Sequence, residues 1–120
     1  MAIYKSAEDY LERILMLQKE GKKVRSIDIA QSFSYSRASI SRAINNLKKD
    51  EFISIDNNGY ISFTNKGYDI ANKMYERHKI LTDLFVSIGV DKETAIEDAC
   101  KVEHDLSEET FNALVKYIKK

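Results

Sequence analysis

Apolar residues recur at helical spacing through most of this chain, with one interruption near its middle. Tyr10, Leu11, Ile14, Leu15 and Leu17 predict a first helix with one buried face. Ser6-Ala-Glu-Asp9 ahead of them has the form of a capping box with Ser6 as the N-cap, and Gly21 followed by Lys22 and Lys23 reads as the stop. A short second helix, capped by Ser26, is predicted over 27–33. A tight turn at Ser34-Tyr35 leads to Ser36, the cap of a third helix reaching about Asp50, in which Ile40, Ala43, Ile44 and Leu47 share one face. Two β-rich runs, 52–55 and 60–63, then flank Asp56-Asn57-Asn58-Gly59 and predict a hairpin. Helical spacing returns after Thr64, the cap of a long helix to about Ile88. Ile70, Met74, His78, Leu81, Phe85 and Ile88 form its stripe, and Gly89 suits the position past its end. Asp91 caps a helix over 92–105 with Ala95, Ile96, Ala99 and Leu106 apolar. Ser107 caps the last one, striped by Phe111, Leu114, Val115 and Ile118.

The fold class expected is therefore mainly α, with three helices and a hairpin followed by further helices. That order is the order of a winged helix-turn-helix, whose second motif helix lies in the DNA major groove. The polar face of the third helix carries Arg37, Ser39, Ser41, Arg42, Asn45 and Asn46. Arg bonds guanine bidentately, Asn does the same with adenine, and Ser contacts are permissive. Ser36 at the start of that helix, Arg25 ahead of the second, and Asn57 and Asn58 at the hairpin tip complete the candidate DNA contacts.

Charge refines this picture. The 120 residues hold 19 Lys+Arg and 19 Asp+Glu, so a uniformly basic nucleic-acid coat is excluded. Yet the stretch from Arg13 to Lys49 has nine basic residues opposed only by Glu20 and Asp28, a local excess of seven positive charges. A localised basic surface is the footprint phosphate contact requires, although solvated helix faces alone account for charge of this kind. A single Cys excludes an internal disulfide framework and points to a reducing, cytoplasmic home. No run of about 18 apolar residues exists to span a membrane, and the N-terminal residues lack an apolar signal-peptide core.

The second half carries different chemistry. Cys100, Glu103 and His104 stand at i, i+3 and i+4, positions that meet on one helix face, and His78 interrupts the apolar stripe of the long helix. A carboxylate on an apolar stripe needs a partner, and a divalent cation satisfies all of these groups at once. Singly, each has a structural explanation: a hydrogen-bonded core histidine, or a cysteine acting as a small hydrophobe.

Several segments together resemble one family. Ser6-Ala-Glu-Asp-Tyr-Leu-Glu-Arg-Ile-Leu, Asp28-Ile-Ala, Ser39-Ile-Ser, Thr64-Asn-Lys-Gly, Arg77-His78 and Ala99-Cys-Lys-Val-Glu-His-Asp-Leu-Ser107 look like the diphtheria toxin repressor/manganese transport regulator family, in order and over nearly the whole chain. The resemblance implies a homodimeric transcriptional repressor in which Fe²⁺ or Mn²⁺ locks the DNA-binding units in an operator-competent pose. It implies a winged helix-turn-helix domain over 1–70 and a helical metal-binding and dimerisation domain over 71–120. Carried over by position, the metal ligands are Asp9, Glu12, His78, Cys100, Glu103 and His104. Asp9 and Glu12 follow the manganese-regulator branch. Cys100 follows the toxin-repressor branch, which makes the set a hybrid. Thr82 and Ile96 stand where the iron branch places ancillary ligands, so no ancillary site is expected. The oxygen/nitrogen donors suit Mn²⁺ or Fe²⁺, and the softer thiolate shifts preference toward Fe²⁺, Co²⁺ or Zn²⁺.

Two other function classes compete with this reading. A winged-helix regulator responding to a small ligand, or to redox state through Cys100, shares the DNA-binding half and differs in binding no metal. A metalloenzyme would use the same cluster to activate water, but the chain has no nucleophile motif, no Gly-rich phosphate loop and no second general base near the cluster. The expectation is a regulator and not an enzyme.

Overall fold

The computed structural model describes residues 5–33 and 36–119. Its elements are α1 (Lys5–Lys19), α2 (Ser26–Ser32), α3 (Arg37–Lys49), β1 (Ile53–Ile55), β2 (Ile61–Phe63), α4 (Asn65–Ser87), α5 (Lys92–Val102) and α6 (Glu108–Ile118). The chain divides into two compact units, with the boundary after Asn72, inside α4.

In the first unit the predicted apolar faces are the core. Tyr10, Leu11, Ile14, Leu15 and Leu17 of α1 are all buried, as are Ile40, Ile44 and Leu47 of α3. Helix α3 packs on α1, α2 and β1. The helix starts differ from expectation in two places. Ser6 lies inside α1, which already includes Lys5. Ser26 is the first residue of α2, and Arg25 takes the cap position. The Asp28 carboxylate accepts the Arg25 N–H at 2.8 Å, the reciprocal bond of a capping box, in which the third helical residue reaches back to the cap. Ser36 caps α3 as expected, its hydroxyl accepting the Ser39 N–H at 3.1 Å. The predicted Ser34-Tyr35 turn falls outside the described residues.

The hairpin is antiparallel, pairing Ile53 with Phe63, Ser54 with Ser62 and Ile55 with Ile61. Asp56 Oδ1 accepts the N–H groups of Asn58 and Tyr60, each at 2.9 Å, and Gly59 takes a φ of +85° that closes the turn. The outer edge of β2 is also occupied. Ile61 N–H donates to the Val24 carbonyl at 2.8 Å, and Gln18 Nε2 donates to the Ile61 carbonyl at 3.1 Å. The hairpin is thus tied to α1 and to the segment that follows it.

Thr64 caps α4 and anchors it to the start of β1. Its hydroxyl donates to the Glu51 carbonyl at 2.7 Å, has the Phe52 carbonyl at 3.0 Å, and accepts the Gly67 N–H at 3.1 Å. A Cβ on Gly67 would lie 1.8 Å from the Phe52 carbonyl oxygen, so this close approach of helix and strand needs glycine.

The second unit comprises the rest of α4 with α5 and α6. Met74, Arg77 and Leu81 of α4 are buried, with Ala95, Ala99 and Glu103. An exposed ion pair joins Lys73 to Glu108 and holds the Glu108 carboxyl below its ordinary pKa, chiefly through the hydrogen bond. The predicted stripes are only partly buried: Ile88 and Ile96 are exposed, and α6 contributes no buried residue. Helix α5 ends at Val102 rather than 105. Glu103 occupies its C-cap with helical φ and ψ, and 103–105 form a turn closed by Asp105 N–H to the Val102 carbonyl at 3.0 Å.

Candidate metal centre and DNA interface

The second unit gathers three of the predicted metal ligands. Glu103 is fully buried at the end of α5. His78 Nδ1 stands 3.4 Å from its Oε2, and His104 Nε2 stands 3.5 Å from its Oε1. These separations exceed the roughly 2.7–2.9 Å of a charge-assisted bond. His78 Nδ1 is buried and makes no hydrogen bond. Two imidazoles flanking the two oxygens of one buried carboxylate, with a ring nitrogen that no hydrogen bond satisfies, fit a divalent cation of the Mn²⁺/Fe²⁺ class. Cys100 lies one turn before Glu103 on α5, half-buried. Thr82, one turn beyond His78 on α4, has a buried hydroxyl without a hydrogen-bond partner.

Asp9 and Glu12 belong to the first unit, one turn apart on α1. Asp9 Oδ2 accepts from Arg13 Nε at 2.9 Å, and the Arg13 guanidinium lies 3.9 Å over the Phe33 ring. Glu12 is buried, with 2% exposure, although it is a carboxylate. Burial, and then the neighbouring Asp9 charge, push the Tyr10 hydroxyl above its ordinary pKa.

Sequence reasoning missed Arg77. This side chain is 3% exposed, and its Nη1 donates to the carbonyls of Glu103 and Leu106 at 2.9 and 2.7 Å. The available signal was its place between Met74 and Leu81 on the buried side of α4, a place the apolar stripe assigned to His78 alone.

Along α3, Ser36, Arg37, Ser41, Arg42 and Asn45 are exposed and Ser39 is half-buried. Ser36 and Ser39 are bonded to each other through their hydroxyls at 2.9 Å, so capping occupies part of their capacity. Asn57 and Asn58 are exposed at the hairpin tip. Arg25 lies 4.4 Å over the Tyr60 ring and Lys23 5.5 Å from it, which brings two cations to the base of the hairpin.

A three-helix unit with a tied hairpin, continuing into helices that collect imidazoles around a buried carboxylate, defines a winged-helix DNA-binding protein with a metal-sensing half. The comparisons with known proteins name the group. Residues 2–61 match "Iron dependent repressor, N-terminal DNA binding domain", and residues 64–120 match "Iron dependent repressor, metal binding and dimerisation domain". The chain belongs to the iron-dependent repressor family. It is 31% identical over 117 residues to an uncharacterised HTH-type transcriptional regulator of Methanocaldococcus jannaschii, covering 96% of this chain and 94% of that one. It is 34% identical over 102 residues to the HTH-type transcriptional regulator MntR of Bacillus subtilis, covering 85% and 72%. Among solved structures, T. acidophilum IdeR aligns with a TM-score of 0.77 at 26% identity, covering all of this chain and 56% of that one. The present chain therefore spans about half the length of that structure.

Proposed function

We propose that this chain is a cytoplasmic, homodimeric, metal-dependent repressor that reads operator DNA with residues 1–70 and senses Fe²⁺ or Mn²⁺ through residues of both halves. The observation that carries the reading is the convergence of His78 and His104 on the buried Glu103 carboxylate, with His78 Nδ1 making no hydrogen bond. Asp9 and Glu12 on α1 are the proposed partners of these three from the DNA-binding half, and Cys100 is the proposed sixth ligand. These carboxylates and imidazoles would hold a divalent cation, which would supply the positive charge that offsets their mutual repulsion. Ligands contributed by two separate units give differential affinity for the pose in which they meet, which is what a population shift requires. Arg25, Arg37, Ser41, Arg42, Asn45, Asn57 and Asn58, with Ser36 and Ser39 at the start of α3, are the proposed operator contacts.

Operator binding measured in parallel with Mn²⁺, anaerobic Fe²⁺, Co²⁺ and Zn²⁺, each against a chelator control, tests the reading. Affinity should rise with metal and fall with the chelator, and an operator affinity indifferent to both refutes it. Glu103→Ala and His104→Ala should each abolish the metal stimulation while leaving helical content by circular dichroism near the parent value. Cys100 lacks the second oxygen with which a carboxylate bridges two ions. Calorimetric titration is therefore expected to resolve one tight site and one weaker one, and two equally tight sites would contradict this.

A further inference from the structure

Among the described residues, Arg77 is the only buried Lys or Arg. Its two hydrogen bonds reach the main chain at the end of α5 and in the link to α6, and its guanidinium lies 5.1 Å from the Phe111 ring. The last carbonyls of a helix have no partners within it and carry the negative end of its dipole. Both bonds leave one terminal nitrogen, Nη1, so a single permanently charged group ties the end of α5 to the link beyond it. The neighbouring residue on α4, His78, faces the Glu103 carboxylate. Two consecutive residues of one helix therefore address one residue of another: Arg77 grips the Glu103 main chain while His78 meets its side chain.

We propose that Arg77 is a positioning residue for the metal centre. It fixes where α5 ends, and so directs the Glu103 carboxylate and the His104 imidazole toward His78. This inference rests on the metal reading above. Removing the guanidinium lets the turn at 103–105 relax, so the three donors no longer converge.

The test uses Co²⁺ as a spectroscopic probe on the full chain and on Arg77→Met, Arg77→Lys and Lys73→Met. Affinity comes from titration, coordination from the visible d–d absorption, and metal-free stability from thermal circular dichroism. Arg77→Met should weaken Co²⁺ binding about 10–100-fold, the range seen when outer partners of metal ligands are lost, and should alter the d–d envelope. Arg77→Lys, which keeps the charge but not the reach and planar shape of the guanidinium, should recover part of both. Lys73→Met, which breaks only the exposed pair with Glu108, should match the parent. If Arg77→Met does not fold, the Arg77→Lys affinity and spectrum decide. Variants that lose metal-free stability but keep the parent affinity and spectrum give Arg77 a structural role only and overturn the inference alone. A parent chain that binds no Co²⁺ overturns the metal reading and this inference together.

Discussion

Glu103 shows how one residue serves packing and chemistry at once. A fully buried carboxylate is costly unless its surroundings compensate for lost water. Here two imidazoles flank the carboxylate at 3.4 and 3.5 Å, while Arg77 binds the main chain of the same residue. Gly67 is the opposite case, a residue chosen for what it lacks. Gly67→Ala would push a methyl into the Phe52 carbonyl, and the neighbour there is backbone rather than a flexible side chain. The expected loss is about 3 kcal/mol or more, at the upper end of overpacking costs, read as a lower midpoint in urea unfolding.

Among the elements, α3 is divided cleanly between a buried face of Ile40, Ile44 and Leu47 and an exposed one bearing Arg37, Arg42 and Asn45. Arg42→Ala should weaken operator binding by about 1–3 kcal/mol if it reads a base edge, measured by fluorescence anisotropy at fixed salt, with the unfolding midpoint unchanged. Such faces were legible in the sequence because burial follows the 3.6-residue period. Helix ends were less so. The cap of α2 is completed by Asp28 from within the helix, and α5 stops where an arginine 26 residues earlier in the chain binds its end. His78 and Glu103 were legible as polar residues on apolar stripes, and His104 by its i+4 spacing from Cys100. Arg77 was legible only in its place between Met74 and Leu81, because its partners are main-chain carbonyls, which leave no side-chain pattern of their own.

At the scale of the whole molecule, zero net charge conceals a division of labour. Residues 1–70 hold 11 basic and 9 acidic groups, and residues 71–120 hold 8 and 10. The second unit also leaves apolar side chains uncovered: Val86, Ile88, Ile96, Tyr117 and Ile118 are all exposed. Its family match is to a dimerisation domain, and a second copy is the cover these residues call for. The double variant Tyr117→Asp/Ile118→Asp should shift sedimentation from dimer toward monomer with helical content preserved. Operator affinity should fall with it, since paired half-sites reward paired recognition helices.

The stitching of β2 to Val24 and Gln18 has a mechanical consequence. It makes the hairpin a lever fixed to the same helix that bears Asp9 and Glu12. Displacing α1 is therefore expected to carry α3, through their packing, and the hairpin, through the Gln18 bond, together. The proposed operator contacts on α3 and at the hairpin tip would then engage or release together.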